Sequence, residues 1–92
     1  MFVVKCIDKV GAAQVRLDNR PAHLEFLNAN ADKYVLAGPM QSEDRQAMIG
    51  SLLVLDFPDR ASLEGFLAQD PFVKVGLFES VEITPFKKVL PK

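Results

Sequence analysis

Leu52-Leu53-Val54-Leu55 is apolar on four successive residues. It lies inside a segment, Ala47 to Phe57, that reads as a strand, with polar Gln41 to Gln46 before it and Pro58-Asp59 after it. Successive side chains of a strand point to opposite faces, so a run without alternation is buried on both. Such a strand belongs in the middle of a sheet, and each face needs a covering layer. The chain has 92 residues in which to supply these neighbours. A domain of that size buries only somewhat above ~60 % of the surface its unfolded chain exposes. One domain spanning 1–92 is expected, with one modest core.

Phe2 to Ile7 is a second apolar run, dense in β-branched and aromatic residues, and reads as a strand. Ala12 to Leu17 can form a short helix. Pro21 should interrupt it, because proline inside a helix removes a hydrogen bond and clashes with the preceding turn. A restart near Asn19 or Arg20 puts Pro21 in a first turn and carries helix to about Asp32, with Leu24, Leu27 and Ala31 as its apolar stripe and His23 on the flank. Tyr34 to Met40 is a strand whose Gly38-Pro39 marks a sheet edge. Asp59 can cap a second helix that buries Leu63, Phe66 and Leu67, with Pro58 packed on Leu63. Asp70-Pro71 stops that helix and opens a short one, closed by Gly76. Phe78 to Phe86 is the last strand, and Pro85 makes it an edge as well; Lys87 to Lys92 is a tail.

The order is strand, helix, strand, strand, helix, strand. It predicts a ferredoxin-like α+β fold, βαββαβ, with a four-stranded antiparallel sheet and both helices on one face. The first and third strands take the centre. The other face of the sheet is still apolar and has no helix left to cover it. A second copy of the chain is the simplest cover, so a twofold homodimer with facing sheets is expected.

Formal net charge is -1 and no basic run occurs, which disfavours nucleic acid as a partner. Cys6 cannot pair within the chain, and its apolar surroundings predict a buried free thiol. Met1-Phe2-Val3-Val4-Lys5 is not a signal peptide, and no apolar run approaches the ~20 residues that cross a bilayer. A soluble cytoplasmic protein without a membrane partner is expected.

Side chains able to do chemistry are few. His23 is the only histidine, and histidine alone has an unperturbed pKa near neutrality. A lone histidine beside an apolar helix face is also a common packed residue. Asp70 reads as an N-cap, and equally as a carboxylate able to accept a proton from His23 and hold its tautomer. Arg16 and Arg20 are four apart and share a face only if helix passes through Pro21; the sequence reads Arg16 as solvated or paired with Asp18 or Glu25, and leaves Arg20 open as a substrate-anion clamp. Ser51 could donate to a substrate oxygen. Phe72 and Phe78 read as core. One histidine and one cysteine make no zinc site, and Gly38, Gly50 and Gly76 have no phosphate-loop spacing, so no metal or cofactor is expected.

Five segments in order, Arg20-Pro21-Ala22-His23-Leu24, Leu36-Ala37-Gly38-Pro39, Gly50-Ser51-Leu52, Asp70-Pro71-Phe72 and Gly76-Leu77-Phe78, resemble the YciI-like (YCII-related) family. The resemblance spans nearly the whole chain. It implies a ferredoxin-like fold dimerised as an α/β barrel, and an active site built on a histidine and an aspartate, here His23 and Asp70. A dehydrochlorinase of chlorinated hydroxyhydroquinones is among the few members with a known reaction; related dimeric barrels include muconolactone isomerases and small monooxygenases, so the fold does not fix the chemistry. Two expectations follow. One is a small cofactor-independent lyase or isomerase acting on a small aromatic or enolisable substrate, with His23 as acid or base, Asp70 orienting it, and Arg20 and Ser51 holding substrate oxygens. The other is a non-catalytic dimeric module that binds a small ligand or a protein. The first requires His23 and Asp70 to meet beside a cavity that exposes Ser51 or Arg20. That is a demanding requirement, because Asp70 ends the second helix and must be carried back across at Pro71.

Overall fold

A computed structural model describes residues 1–92. The elements are β1 (Phe2–Asp8), α1 (Ala13–Ala29), β2 (Tyr34–Gln41), β3 (Met48–Leu55), α2 (Arg60–Leu67), α3 (Pro71–Lys74) and β4 (Phe78–Pro85), with a single 3-10 turn, Ala31–Lys33, between α1 and β2. The strands form one sheet in the order β2-β3-β1-β4, and each neighbouring pair is antiparallel. This is the ferredoxin-like α+β arrangement. The two proline-bearing strands take the edges, since proline has no N–H to offer a second neighbour. The two most apolar strands take the centre.

Register decides which face each side chain serves. Phe2, Val4 and Cys6 stand opposite Leu55, Leu53 and Ser51, and all six point toward the helices. There Val4, Cys6, Leu53 and Leu55 pack on Leu63, Phe66 and Leu67 of α2 to form the core. The alternate positions, Val3, Ile7, Leu52 and Val54, point to the opposite face, where Leu36 and Met40 of β2 join them. The unalternating run of β3 therefore feeds two different apolar surfaces. Gly50 marks the tight point of the β1–β3 pair: a Cβ there would run into the Cys6 carbonyl oxygen.

The expected break before Pro21 does not occur. α1 runs unbroken from Ala13 to Ala29 with Pro21 inside it. Two anchors straddle the proline, Arg16 on one side and His23 on the other, and both are tied to other elements. Pro21 and Leu17 are exposed, so water can serve the Leu17 carbonyl that loses its N–H partner. Tertiary bonds outweigh the local penalty. The inward face differs from the expected stripe as well. Leu27 is half-buried as expected, whereas Leu24 and Ala31 are exposed; the other shielded positions are Ala12, Arg16, Asn19, His23, Phe26 and Asn30. Their spacing alternates four and three residues, which keeps one line on a helix surface.

Caps fix the other helices. The Asp59 carboxylate accepts the Ser62 N–H at 2.8 Å and starts α2. The Asp70 carboxylate accepts the Phe72 N–H at 2.9 Å and starts α3, with Pro71 in the first turn. Gly76, at φ 69°, ends α3 in the left-handed region that glycine tolerates. There the Leu77 N–H returns to the Phe72 carbonyl and the Gly76 N–H to the Val73 carbonyl, the paired bonds of a Schellman close. No helix is long and apolar enough to cross a membrane.

Candidate active site

α3 is what brings the chain's scarce polar groups together. It packs on α1 and delivers Asp70 and Phe72 to the middle of that helix. His23 is not near the start of its helix, as a restart at Arg20 would have placed it; α1 begins a full two turns earlier. His23 Nδ1 lies 2.8 Å from Asp70 Oδ1, in a contact whose side chains are 9 % and 3 % exposed. The same oxygen receives the Phe72 N–H. One carboxylate therefore serves as helix cap and as histidine partner, and the cap holds it in place for the second task. An ionised carboxylate only accepts, so Nδ1 carries the hydrogen and donates it. That leaves Nε2 as the basic nitrogen of the neutral ring. Phe72 stacks flat on the imidazole, with centroids 3.9 Å apart and planes at 14°, which fixes the ring's tilt.

A second polar unit stands beside the first. The Arg16 guanidinium donates to Asp8 through Nε at 2.7 Å and Nη2 at 3.0 Å, the forked geometry in which arginine binds a carboxylate best. Nη2 also donates to Ser51 Oγ at 2.9 Å. Arg16 is 8 % exposed, and its guanidinium carbon sits 4.8 Å from the Phe72 ring centroid. The reading of Arg16 as a solvated charge is thus corrected: it is buried, and Asp8, not Asp18 or Glu25, is its partner. Asp8 went unremarked in the sequence because it closes a strand and sits eight positions from Arg16, with no local pattern joining them. The available clue was the spacing from Ala12 to Phe26, which puts Arg16 and His23 on one line of α1.

Arg16, Arg20, His23 and Ser51 line a cavity of about 100 Å³, walled on its apolar side by residues that include Leu24, Leu27, Ala37, Pro39 and Phe72. Phe72 is at once fully buried core and part of that wall, whereas Phe78 touches the site only through an edge contact with Phe72 at 6.1 Å. Arg20 is exposed and has no carboxylate partner. It also borders a wider groove that leads outward past Pro39 and Met48. The four residues singled out as His23, Asp70, Arg20 and Ser51 are therefore gathered at one place, with Asp70 behind His23 and away from the cavity wall.

Cys6 lies close by but is chemically quiet. Burial, then the negative charges of Asp70 and Asp8, push its thiol up to about 12, against a smaller opposing pull from Arg16. It is a neutral thiol at physiological pH, packed at 2 % exposure.

The sequence model of the YCII-related domain matches residues 1–87. The chain belongs to the YCII-related family. Among YCII-related relatives, Protein YciI of Escherichia coli O6:H1 and Protein YciI of Shigella flexneri are each 32% identical over 96 residues, covering 97% of this chain and 98% of theirs. An uncharacterized protein of Haemophilus influenzae is 28% identical over 95 residues. Among solved structures, the chain superposes with a TM-score of 0.86 on 5-chloro-2-hydroxyhydroquinone dehydrochlorinase from Burkholderia phenoliruptrix AC1100, in complex with 2,5-dihydroxybenzoquinone. That protein is 32% identical, and the match covers 94% of this chain and 92% of the other. The YCII-related fold thus hosts an enzyme at appreciable sequence similarity to this chain.

Proposed function

We propose that this YCII-related chain is a small cofactor-independent enzyme in which His23, held by Asp70, performs general acid–base chemistry on a small hydroxylated or enolisable ring. The reaction type is a lyase or isomerase, of which dehydrochlorination is one form. The observation that carries this reading is the 2.8 Å buried contact between His23 and Asp70 with His23 on a cavity wall. A packed histidine needs only some acceptor for its ring N–H; a carboxylate in that place also stabilises the imidazolium that acid–base chemistry forms.

The chemistry suits the groups present. Nε2 takes a proton from a substrate hydroxyl or activated carbon. Asp70 stabilises the imidazolium that forms. The electron pair left behind flows into the ring, and in an elimination the leaving group departs with its own bonding pair. The net change is loss of HX, or migration of a proton in an isomerisation, so no outside oxidant or reductant enters. Ser51 accepts from Arg16, which leaves its own hydrogen free to donate to an oxygen gathering negative charge. Arg20, without an internal partner, can meet an anionic substituent. The dehydrochlorinase that shares this fold was solved with a dihydroxybenzoquinone, a ring of the size and polarity such a site would take.

The test compares wild type with His23→Ala on small phenols, lactones and halogenated quinols. Turnover of at least one substrate is expected, falling by roughly 100-fold to 10,000-fold in the variant. Equal turnover by both proteins would sink the dyad, and binding without turnover across the panel would make the non-catalytic module the better reading.

A further inference from the structure

Arg16 is buried, and two of its three side-chain nitrogens are committed. Nε and Nη2 hold Asp8, and Nη2 also reaches Ser51 Oγ. Nη1 makes no hydrogen bond within the protein. It is not sealed either, because the Tyr34 hydroxyl is the one side-chain polar atom that is both shut from solvent and unpartnered. Nη1 therefore opens onto the space that Arg16 lines, the cavity and the groove beside it. His23 Nε2 is in the same condition: without a partner, unsealed, and on a residue of the cavity wall. Ser51 Oγ takes a hydrogen from Arg16, and its own hydrogen goes to no group of the protein. Phe72 ties these groups together. Its ring centroid lies 3.9 Å from the imidazole centroid and 4.8 Å from the guanidinium carbon, close enough for one small ring to touch both. A buried ion pair adds little to stability over well-packed apolar side chains of the same volume. A guanidinium clamped by a carboxylate, with N–H donors left free at a cavity wall, instead suits an acceptor that the protein itself lacks.

We propose that Arg16 Nη1 and the Ser51 hydroxyl form an oxyanion site beside His23, and that Arg16 is a catalytic residue of the reaction. The substrate class narrows to small rings with a hydroxyl or carbonyl oxygen that becomes anionic as the reaction proceeds. The proton leaves for His23 Nε2, and the electron pair left behind is delocalised onto that oxygen. Nη1 and Ser51 Oγ–H donate to it. No bond to the protein forms, and no further reactant is consumed. Asp8 fixes the guanidinium through the fork, so the donors need not reorganise when the charge appears. Asp8 is thus a positioning residue. This assignment rests on the reading of His23 as the acid–base group, and supplies the place for the charge that its step creates.

The probe is 4-nitrophenol, whose ionisation in the bound state is followed by absorbance. Bound to wild type, its midpoint should lie about one pH unit below that of the free phenol, because the donors favour the phenolate. The shift should persist in His23→Ala and be largely lost in Arg16→Lys, which keeps the charge without the planar fork. Ser51→Ala should lose part of it. Where Arg16→Lys is too unstable to titrate, Arg16→Met combined with Asp8→Asn leaves no unpaired charge inside and should show the same loss. An equal midpoint in wild type and the Arg16 variants overturns the oxyanion site and leaves the dyad standing, as does a shift that disappears in His23→Ala alone. Absence of probe binding at millimolar concentration overturns it too. Turnover is a separate check. On a substrate found in the panel above, Arg16→Lys should reduce kcat by about 100-fold with KM little changed, since the charge it meets exists only in the transition state. A purely structural arginine would lower the thermal midpoint and leave kcat of the folded protein unchanged, and that result overturns the catalytic assignment. Undiminished turnover in His23→Ala is a different result, and sinks the acid–base reading itself.

Discussion

Asp70 Oδ1 accepts two hydrogen bonds from different sources, the Phe72 N–H and the His23 ring, and that sharing explains how a surface-type residue comes to be 2 % exposed. A buried carboxylate with too few partners is costly; the helix cap offsets part of the desolvation and the imidazole more. Arg16 and Asp8 follow the same logic, with Ser51 completing the set. Cys6 is a buried ionisable group with no such partner, and its response is to stay neutral. Its folded-state value, about 12, lies above the ordinary 9.0. A raised acid contributes no pH dependence below its unfolded value. Above that, the unfolded chain loses the proton first, so stability should decline as pH rises from about 9 toward 12. Tyr34, also raised, acts in the same direction. Denaturant midpoints measured through this window should fall with pH in wild type and fall less steeply in Cys6→Ala. A profile that stays flat to the top of the window would contradict the burial assigned to this thiol.

α1 shows how an unfavourable local sequence is kept helical. Pro21 costs a helix interior about 3 kcal/mol relative to alanine, yet the helix passes through it. The helix survives because it is pinned at Arg16 and at His23, two turns apart on one line. Pro21→Ala should restore the N–H to the Leu17 carbonyl and relieve the clash. The unfolded chain gains freedom from the loss of proline, which opposes this by up to about 1 kcal/mol. Net stabilisation of about 2 kcal/mol is expected, seen as a rise of several degrees in the thermal midpoint. An unchanged or lowered midpoint would mean that the proline is accommodated without strain. α3 is the complementary case, a single turn too short to persist alone but capped at both ends and seated on α1. Its local signals were sufficient to place it.

The sheet has one face under the helices and one without a cover. Val3, Ile7, Leu36, Met40, Leu52 and Val54 share the face away from the helices; Leu36 is 52% exposed, Val54 is buried among its neighbours and the other four are half-buried. We infer that a second copy of the chain covers this face, sheet facing sheet about a twofold axis, as the family resemblance implies. Light scattering at micromolar concentration should then give twice the chain mass. Leu52→Asp puts a charge on that face without touching the helix-side core, and should yield monomer and a lower thermal midpoint together, because so small a domain depends on the added burial. A wild-type monomer under these conditions would rule out the facing-sheet assembly. Leu53→Asp is not an equivalent test, since Leu53 is 3% exposed beneath the helices and a charge there breaks the fold.

Strand number, strand order, edges and both short-range caps were legible in the residues, because each depends on chemistry acting within a few positions. Proline cannot serve two neighbours, so Pro39 and Pro85 named the edges. Asp59 and Asp70 reach N–H groups two or three residues on, and Gly76 supplies a left-handed close. The resemblance joined His23 to Asp70; the residues alone left Asp70 as cap or partner, and the fold makes a single oxygen both. The environment of Arg16 and the passage of helix through Pro21 were not legible. Ser51 lies 35 positions from Arg16 and Asp70 lies 47 from His23. No local propensity weighs a proline against bonds formed across such distances. Whether a charge is solvated or buried is likewise settled only when the chain closes and the groups left inside must find one another.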